Sequence, residues 1–411
     1  MGRYVVLSLG EVVVMAEPTT RFNDGREHGR PLRILMVVDG RYPTTGGAEM
    51  QARLLSSAFA KAGHSVRVLT PRLEASQPLH ERIDGIEVER IAYPRMRGLG
   101  AIILNLRFAA YLWRRRRALD VVHIHMMHNL AGAAGWTKPW IRLPIFVKVS
   151  GAAEFQGGIL DPALRRGLVH RVLDAGSRRL DGFQCISTFT RQVMLQAGYP
   201  AAKLHFIPNA VDCDRFTPMS SAPEQGSRER APRVVFVGRH VAVKGLDILL
   251  RAWAGMTRPA AARLILAGDG PERATLMQQA TALGVADSIE FPGTVSDVSA
   301  LLASASIYVQ ASHREGLPNS VLEAMAAGLP VVATRIGGHE DIITDGETGV
   351  LVAPADPQAL AAALQGLLDD LERRQRLGQH AADYVRVHYA TAVVIERLLD
   401  LYRGHAASPN H

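Results

Sequence analysis

The chain has 411 residues, of which 47% are hydrophobic and 21% are charged, a composition typical of globular α/β proteins. This length exceeds what one hydrophobic core usually organises, so we expect two domains. The two cysteines exclude a disulfide framework and favour a reducing cytoplasm. No apolar run reaches the ~20 residues that a membrane-spanning helix requires.

The formal net charge of +8 indicates an anionic partner. Nucleic acid is one such partner, but the sequence shows neither a recognition motif nor an aromatic stacking platform, so we expect no binding to nucleic acid. An anionic membrane surface is another, and its candidate segment is described below.

Residues 1–30 precede the first regular alternation of strand and helix. The segment YVVLSLGEVVVMA within them is interrupted by Gly10 and Glu11, is too short to span a membrane and lacks the basic region of a signal peptide. We therefore expect residues 1–30 to form a flexible extension.

A first domain is predicted over residues 31–215. The strand RILMVVDG leads through the loop RYPTTGG into a helix over 48–62, and the strand SVRVLT follows. This alternation favours a parallel sheet. Gly46 and Gly47 stand just before the helix, where backbone amides can approach a diphosphate, although any strand-to-helix turn can carry such a pair.

Arginines cluster on a predicted helix within residues 99–119. They accompany apolar residues that recur at helical spacing, namely Ile103, Leu106, Ala110 and Trp113 beside Arg107 and Arg114 to Arg117. Two interpretations stay open: the helix lies on an anionic membrane surface, or it packs its apolar stripe on the sheet of its own domain.

The run DVVHIH is typical of a buried strand, and His123 and His125 share one face of it because side chains alternate along a strand. His125 stands at the carboxyl end, near the expected ligand site. A zinc site with His128 as third ligand is disfavoured, since no distant carboxylate or cysteine completes it. The ordinary alternative is a buried histidine with a backbone partner.

Residues 216–232 are rich in proline, serine and charge and are predicted to link the domains. Just before them, Asp212 and Asp214 form an Asp-x-Asp string that can hold a metal in other transferases. Here the string falls in a turn beside the linker, so we expect no metal.

A second domain is predicted over residues 233–385, where the strand RVVFVGR precedes a helix from Leu246 to about Ala254. Gly238, Arg239, Lys244 and Gly245 occupy the first turn. The two cations can neutralise a departing diphosphate, although two surface cations among 47 need no special role.

The segment EGLPNSVLEAMAAGLPVVAT places two carboxylates around the start of one helix. A buried strand precedes it, Pro318 favours a helix start, and Gly328 favours its end. Glu315 then lies in the turn and Glu323 about a turn and a half into the helix. Both face the carboxyl ends of the strands, where open α/β sheets bind ligands. For a lone pair of glutamates, solvent exposure would be the simpler interpretation.

At this spacing, the elements EG, PN, LEAMA and PVVAT resemble the signature of glycosyltransferase family 4, nucleotide-sugar transferases of the GT-B fold. The resemblance extends from roughly Arg33 to Gly404. It implies an α/β protein of two Rossmann-like domains with parallel sheets that face across a cleft. The first domain would take the acceptor and the second the donor, and a helix at 386–405 would pack back on the first domain.

The resemblance also implies roles for individual residues. Glu315 and the amides of Gly316 and Leu317 would hold the donor sugar and phosphate, and Glu323 would accept from the ribose. The other implied donor-binding residues are Gly46, Gly47, Gly238, Val295, Pro318 and Asn319. Arg239 and Lys244 would stabilise the leaving group, and His125 would contact the sugar or the acceptor.

The implied activity is hexosyl transfer with retention, without metal or other cofactor, from a UDP- or GDP-type donor to a glycan or lipid-linked acceptor. The expected setting is bacterial cell-surface polysaccharide or glycolipid synthesis in the cytoplasm, with peripheral attachment to the inner face of the plasma membrane left open. Two alternatives are a nucleotide-sugar epimerase of GT-B fold and a non-catalytic nucleotide-sugar-binding scaffold. A dehydrogenase is disfavoured because VDGRYPTTGG lacks the glycine fingerprint. Residues 150–156, SGAAEFQ, depart from the family's pattern, so the acceptor cannot be copied from a relative.

Overall fold

The computed structural model describes residues 30–44, 46–96, 98–151, 158–161, 167–218, 231–257 and 259–406. All elements described below lie in the compact unit Leu32–His411. Residues 1–29 of the expected extension, 219–230 of the expected linker and 152–156 of the segment that departs from the family's pattern lie outside the described residues.

The first domain is built on one eight-stranded sheet. Its strands are β1 (Arg33–Val38), β2 (Ser65–Pro71), β3 (His80–Ile83), β4 (Ile86–Ile91), β5 (Val121–His125), β6 (Ile145–Val149), β7 (Gly182–Cys185) and β8 (Leu204–Phe206). The order across the sheet is β3-β4-β2-β1-β5-β6-β7-β8, and only the β3–β4 pair is antiparallel. The central strands are apolar runs buried on both faces, as a covered parallel sheet requires.

Helices cover both faces of this sheet. They are α1 (Gly47–Lys61), α2 (Leu99–Arg115), α3 (Asn129–Ile141), α4 (Leu168–Ser177) and α5 (Thr188–Gln196). Buried residues of α2, α3 and α5 form one apolar cluster with the sheet, and those of α1 form another on the opposite face. The helices therefore follow the alternation that the sequence predicts.

The second domain has a six-stranded parallel sheet in the order β11-β10-β9-β12-β13-β14, with strands β9 (Arg233–Val237), β10 (Arg263–Ala267), β11 (Ile289–Gly293), β12 (Ile307–Gln310), β13 (Val331–Thr334) and β14 (Val350–Val352). Its helices are α6 (Leu246–Ala254), α7 (Arg273–Ala282), α8 (Val298–Ala303), α9 (Asn319–Ala326), α10 (Gly337–Glu340), α11 (Pro357–Asp369) and α12 (Leu371–His388). Pro292 is tolerated in β11 because this strand lies at the sheet edge. The prediction of a parallel sheet in each half is confirmed.

The last helix, α13 (Thr391–Ala406), returns to the first domain. Val394, Leu398 and Tyr402 are buried in the cluster that α1 forms with the first sheet. The Tyr402 hydroxyl also hydrogen-bonds the Nδ1 atom of His123 in β5. Helix α13, near the end of the chain, thus completes the apolar core of the first domain.

Helix α2 buries a different stripe from the one that the sequence analysis singled out. The buried residues are Gly100, Leu104, Phe108 and Leu112, at a spacing of four. Leu106 is 65% exposed and Trp113 is 53% exposed, so the interpretation in which their stripe packs on the sheet is wrong. Two apolar stripes share this helix, and the sheet takes the one with Phe108. Among the described helices, none is both long and apolar enough to cross a membrane.

Candidate active site

The site is centred on the turn between β12 and α9. The strand ends at Gln310, the chain turns through Glu315, and α9 begins at Asn319 with Pro318 as its N-cap. The helix ends before Gly328, whose φ of 75° only glycine adopts at little cost. The first N–H groups of α9 therefore point toward the carboxyl ends of the strands, which makes this end of the helix suited to an anion.

Glu315 is held by three donors on one oxygen. Its Oε1 accepts from Lys244 Nζ at 2.6 Å, Ser312 Oγ at 2.7 Å and Gln310 Nε2 at 2.8 Å. Burial alone would raise the pKa of this carboxyl, but the charge and hydrogen bond of Lys244, with the charge of His339 and the hydrogen bond of Ser312, together outweigh burial, so the pKa lies below its ordinary value. Oε2 takes none of these three bonds, which leaves an ionised acceptor for a ligand hydroxyl.

Lys244 reaches this turn because α6 starts against the end of β12. Gly245 has a φ of 61°, and a Cβ at this position would overlap the carbonyl oxygen of Ala311. Arg239 is exposed in the turn after β9, next to Gly238. Because β9 and β12 are neighbours in the sheet, both cations stand at the same edge as the start of α9.

Residues of the first domain meet the same turn. Asn319 Nδ2 donates to the carbonyl oxygen of Gly47 at 3.1 Å, which brings the Gly46–Gly47 pair to the start of α9. Asn209 Nδ2 donates to the Leu317 carbonyl at 3.1 Å and to Asn319 Oδ1 at 2.8 Å. The structure thus brings together glycines and an asparagine of the first domain with the turn before α9 in the second.

Gly316 also touches the first domain. A Cβ on Gly151 would lie 2.9 Å from the Cα atom of Gly316, and a Cβ on Gly316 would lie 2.7 Å from the Ser150 carbonyl oxygen. Contacts below 3.0 Å are closer than a Cβ tolerates. Glycine at both positions therefore allows the two backbones to meet beside the site.

Glu323 lies in α9, half-buried, four residues after Asn319. Burial raises its pKa to about 7, and the charge of Arg215 opposes that rise. Val295 lies further from the centre of the site, in the loop after β11. Strand β11 is two strands away from β9, the strand that precedes Arg239, and two strand spacings are roughly 10 Å.

His125 is fully buried at the end of β5, and its ring centroid is 5.0 Å from that of His123, on the same strand face as predicted. Burial, followed by the neighbouring His123 and Lys148, lowers its pKa well below the ordinary value, while the backbone of Ala48 acts in the opposite direction. A neutral imidazole beneath the α1 terminus is the result. It does not line the open cleft surface.

The described residues contain no group of three or more His, Cys, Asp or Glu side chains placed to hold a metal ion. The Asp-x-Asp string forms a turn instead, because Asp212 Oδ1 accepts from the backbone N–H groups of Asp214 at 3.2 Å and Arg215 at 3.1 Å.

Sequence reasoning missed two residues that hold Glu315. Gln310 and Ser312 lie in and just after the buried strand that precedes the turn, and because they are two residues apart they share a face and both donate to Glu315. Polar residues at period two near the carboxyl end of a buried strand are a signal that could have found them. Glu49 was also missed, and its carboxylate lies against the position where a Cβ of Gly46 would be.

Two family models match the chain. One is described as Glycosyltransferase Family 4 and matches residues 45–215, and the other is described as Glycosyl transferases group 1 and matches residues 220–384. The D-inositol 3-phosphate glycosyltransferase of Thermomonospora curvata is 29% identical over 394 residues, which is 87% of this chain and 90% of that protein.

A shorter match is closer in sequence. The GDP-mannose-dependent alpha-(1-6)-phosphatidylinositol monomannoside mannosyltransferase of Mycobacterium tuberculosis H37Rv is 33% identical over 237 residues, covering 54% of this chain and 62% of that protein. Among solved structures, Anabaena HepE in complex with UDP-glucose matches with a TM-score of 0.74 at 20% identity, over 91% of this chain and all of that one. This last likeness concerns the fold.

Two domains, each built on a largely parallel sheet, meet at the start of α9, as in proteins of the GT-B fold, and the solved structures agree. The chain belongs to glycosyltransferase family 4, and it is a nucleotide-sugar glycosyltransferase.

Proposed function

We propose that this enzyme transfers a hexose-type sugar from a nucleoside-diphosphate sugar to a glycan or lipid-linked acceptor, with retention at the anomeric carbon and without a metal ion. Its place would be bacterial cell-surface polysaccharide or glycolipid synthesis, in the cytoplasm at the inner face of the plasma membrane. The observation that carries the proposal is the Lys244–Glu315 pair beside the start of α9. It sets a cation and a hydroxyl acceptor at one helix N-terminus.

The first step to explain is departure of the nucleoside diphosphate, which takes the electron pair of the bond to the anomeric carbon and gains negative charge. Lys244 carries three N–H donors and gives one to Glu315, so the others can reach phosphate oxygens. Arg239, exposed at the end of β9, can donate two parallel bonds. In the proposal these two cations and the α9 terminus stabilise the leaving group, and the diphosphate takes the proton of the acceptor hydroxyl.

Donor positioning is assigned to the turn itself. Glu315 would accept sugar hydroxyls through Oε2, while the amides of Gly316 and Leu317 and the first turn from Pro318 bind phosphate. Glu323 would accept from the ribose hydroxyls and Val295 would contact the base. Gly47 and Gly238 would admit the diphosphate because they carry no side chain, and Gly46 would do so once the Glu49 carboxylate beside it moves away.

His125 keeps its place in the proposal as a contact to the sugar or the acceptor. Its ring is covered in the structure, so contact with a substrate requires the segment around Ala48 to move when the donor binds. Such closure steps complete the site in many two-domain enzymes.

The test is Lys244→Ala, with release of nucleoside diphosphate from the donor as the readout. We expect turnover, measured at a temperature where the variant is folded, to fall by about 10²–10³-fold, the usual loss for one such stabilising donor. Thermal unfolding should shift to a lower temperature as well, because Glu315 stays largely buried without its cation. Arg251→Ala is the matched control, because Arg251 also pairs with a carboxylate, Asp247, but on the exposed face of α6. Near-normal turnover in Lys244→Ala would refute the assignment.

The same assays separate the alternatives. An epimerase would convert the donor sugar with no acceptor present, and a non-catalytic scaffold would bind nucleotide without releasing product. The base is read from thermal unfolding with UDP, GDP and their hexose conjugates, since a ligand at ~100 times its Kd adds about 2.7 kcal/mol of stability. Activity that EDTA abolishes and manganese restores would contradict the metal-free step.

A further inference from the structure

The outer surface of three neighbouring helices in the first domain is unusually apolar. We call it the tryptophan face and define it by the exposed side chains Leu99, Ile102, Leu106 and Trp113 of α2, Trp140 of α3, and Leu168, Val169 and Val172 of α4. Trp140 is 69% exposed and Leu168 is 75% exposed. Such a concentration of large apolar side chains marks an interaction site in a folded domain.

The helices beneath the face form a rigid platform. Helices α3 and α4 cross with their backbones in contact, because a Cβ on Gly135 would overlap the carbonyl oxygen of Gly176. Trp136 Nε1 donates to the carbonyl oxygen of Val172 at 2.9 Å. Side-chain amides of Asn105 and Asn129 exchange hydrogen bonds of 2.9 and 2.8 Å and tie α2 to α3. The outward side chains are therefore presented from fixed positions.

An apolar slot opens between the two tryptophans. It has a volume of about 250 Å³ and is lined by Ala109, Ala110, Trp113, Thr137, Trp140 and Ile141. Its dimensions suit part of a hydrocarbon chain rather than a polar ligand, because the lining offers almost no hydrogen-bonding surface.

On the α2 side of the slot, the charges have one sign. Residues 99–119 carry Arg107 and Arg114 to Arg117 and no acidic residue. Arg115 turns inward toward Glu89, whereas Arg114 and Arg117 are exposed. The Arg116 guanidinium lies over the Trp113 ring, 4.4 Å from its centroid. Tryptophan beside arginine, with no acid, is complementary to anionic lipid head groups above hydrocarbon.

We propose that the tryptophan face docks on an anionic membrane, with an acyl chain entering the Trp113–Trp140 slot and lipid phosphates on Arg114, Arg116 and Arg117. The inference deepens the proposed function and rests on it for the lipid-linked acceptor. The tryptophan face extends along the helices, from Leu99 and Leu168 at the sheet edge where the cleft opens to the slot at the C-terminal ends of α2 and α3, about 16 Å further on at the usual helical rise. A membrane that covers the whole face therefore reaches the cleft edge and can deliver a lipid-linked acceptor there.

Flotation with vesicles tests the docking. The full chain should float with vesicles of phosphatidylcholine mixed with phosphatidylglycerol, less at high salt, and hardly at all with phosphatidylcholine alone. Arg114→Ser with Arg117→Ser should lower partitioning about thirtyfold, since each arginine near an anionic surface contributes about 1 kcal/mol. Trp113→Ala with Trp140→Ala should lower it about tenfold or more. The matched control is Leu371→Ala with Val387→Ala, two exposed apolar residues of α12.

Tryptophan fluorescence locates the contact. Lipids brominated on the acyl chain should quench Trp113 and Trp140, and the Trp113→Phe, Trp140→Phe double variant should lose most of that quenching. Trp253, fully buried in the second domain, and Trp136, whose ring Arg179 covers at 3.9 Å, remain in the double variant. Trp136→Phe alone, which should keep most of the quenching, is therefore the reference. Unchanged quenching in the double variant would overturn the slot assignment.

Other outcomes are equally decisive. No flotation of the wild type at low salt, or equal flotation of the tryptophan double variant, overturns the proposal. Self-association in the absence of lipid that the tryptophan variant abolishes would identify the face as a contact between copies and also overturn it. Nucleotide-dependent thermal stabilisation of the same samples separates the two ideas. Stabilisation without flotation rejects the docking alone, and flotation without stabilisation rejects the proposed donor chemistry alone.

Discussion

At the scale of single residues, the Lys244–Glu315 pair is a costly arrangement. Both side chains are largely removed from water, and a buried ion pair seldom stabilises a fold more than apolar residues of the same volume. Three donors converge on one carboxylate oxygen, and the other oxygen faces away from them. An arrangement that adds little to folding but fixes a charge and an acceptor is expected of a ligand site.

Glu323 gives a pH-dependent prediction. Its pKa in the folded chain is about 7, above the ordinary value of 4.5, so the folded state binds this proton more tightly than the unfolded state. The contribution of this group to stability is therefore fully present below about pH 4.5 and is lost as the pH rises to about 7. Glu323→Gln should be more stable than the wild type by about 3 kcal/mol above this range, with a smaller difference at low pH.

Urea unfolding of wild type and Glu323→Gln across this pH range measures the difference. Glu372→Gln removes an exposed carboxylate of α12 and serves as the control. A difference between wild type and Glu323→Gln that does not grow with pH would contradict the raised pKa of the half-buried Glu323.

At the scale of helices and strands, the crossing of α3 and α4 is held by glycine. Gly135→Ala would place a Cβ on the Gly176 carbonyl oxygen, so the helices must separate. We expect a loss of about 1–3 kcal/mol, the range for overpacked cores. The measurement is the urea midpoint at constant m-value.

A glycine-to-alanine substitution at Gly366 should have the opposite effect on stability. Gly366 lies inside α11, and its nearest neighbour would be the flexible end of Arg373 at 3.7 Å. Gly366→Ala should therefore stabilise the protein by about 0.5–1 kcal/mol, because alanine is the better helix former. Equal effects at the two positions would show that the crossing is not as tight as the structure has it.

Hydrophobic periodicity predicted the bounds of the helices better than it predicted which face of each helix is buried. The helix Leu246–Ala254 lies where it was expected, and the helix predicted over 48–62 is Gly47–Lys61, one residue earlier, because glycine can occupy the first turn. The outward stripe of α2 was ambiguous, since two apolar stripes fit a period of 3.6 and only the sheet decides between them. The local sequence pattern predicts that a helix forms, whereas packing against the sheet determines which face of the helix is buried.

The site also has a part that the local sequence predicts and a part that depends on long-range packing. The glutamates and their turn follow from adjacent residues, so sequence could place them. The bond from Lys244 to Glu315 spans 71 residues within the second domain, and the bond from Asn209 to Leu317 spans 108 residues and joins the two domains. Neither bond exists until the two elements that carry its ends have come together. Contacts of that kind are set by the approach of separate elements and have no local signature.

At the scale of the whole molecule, the two domains share the chain's last helix. Helix α13 follows the second domain directly, yet its apolar side chains fill the core of the first. The parallel bridge between Val211 and Ala390 joins the two crossing segments of the chain. The first domain therefore cannot complete its core until the end of the chain has arrived.

Tyr402 is the test of this dependence. It is fully buried, its ring lies 6.0 Å from Phe59 and 5.5 Å from Phe146, and its hydroxyl meets a His123 whose pKa burial lowers to about 3. Tyr402→Ala should cost about 3–5 kcal/mol, as large aromatic truncations do, whereas Tyr402→Phe keeps the ring and should cost about 1 kcal/mol for the lost hydrogen bond.

Calorimetry with and without the stabilising nucleotide shows which domain the change affects. The transition that nucleotide raises belongs to the second domain, which holds the proposed donor site. Tyr402→Ala should lower the other transition by about 10 °C and leave the nucleotide-responsive one near its wild-type temperature. Removing the tyrosine ring should destabilise only the domain in whose core the ring is buried. A drop in the nucleotide-responsive transition alone would therefore mean that α13 stabilises the second domain, which it follows in sequence, and not the first domain, on which it packs.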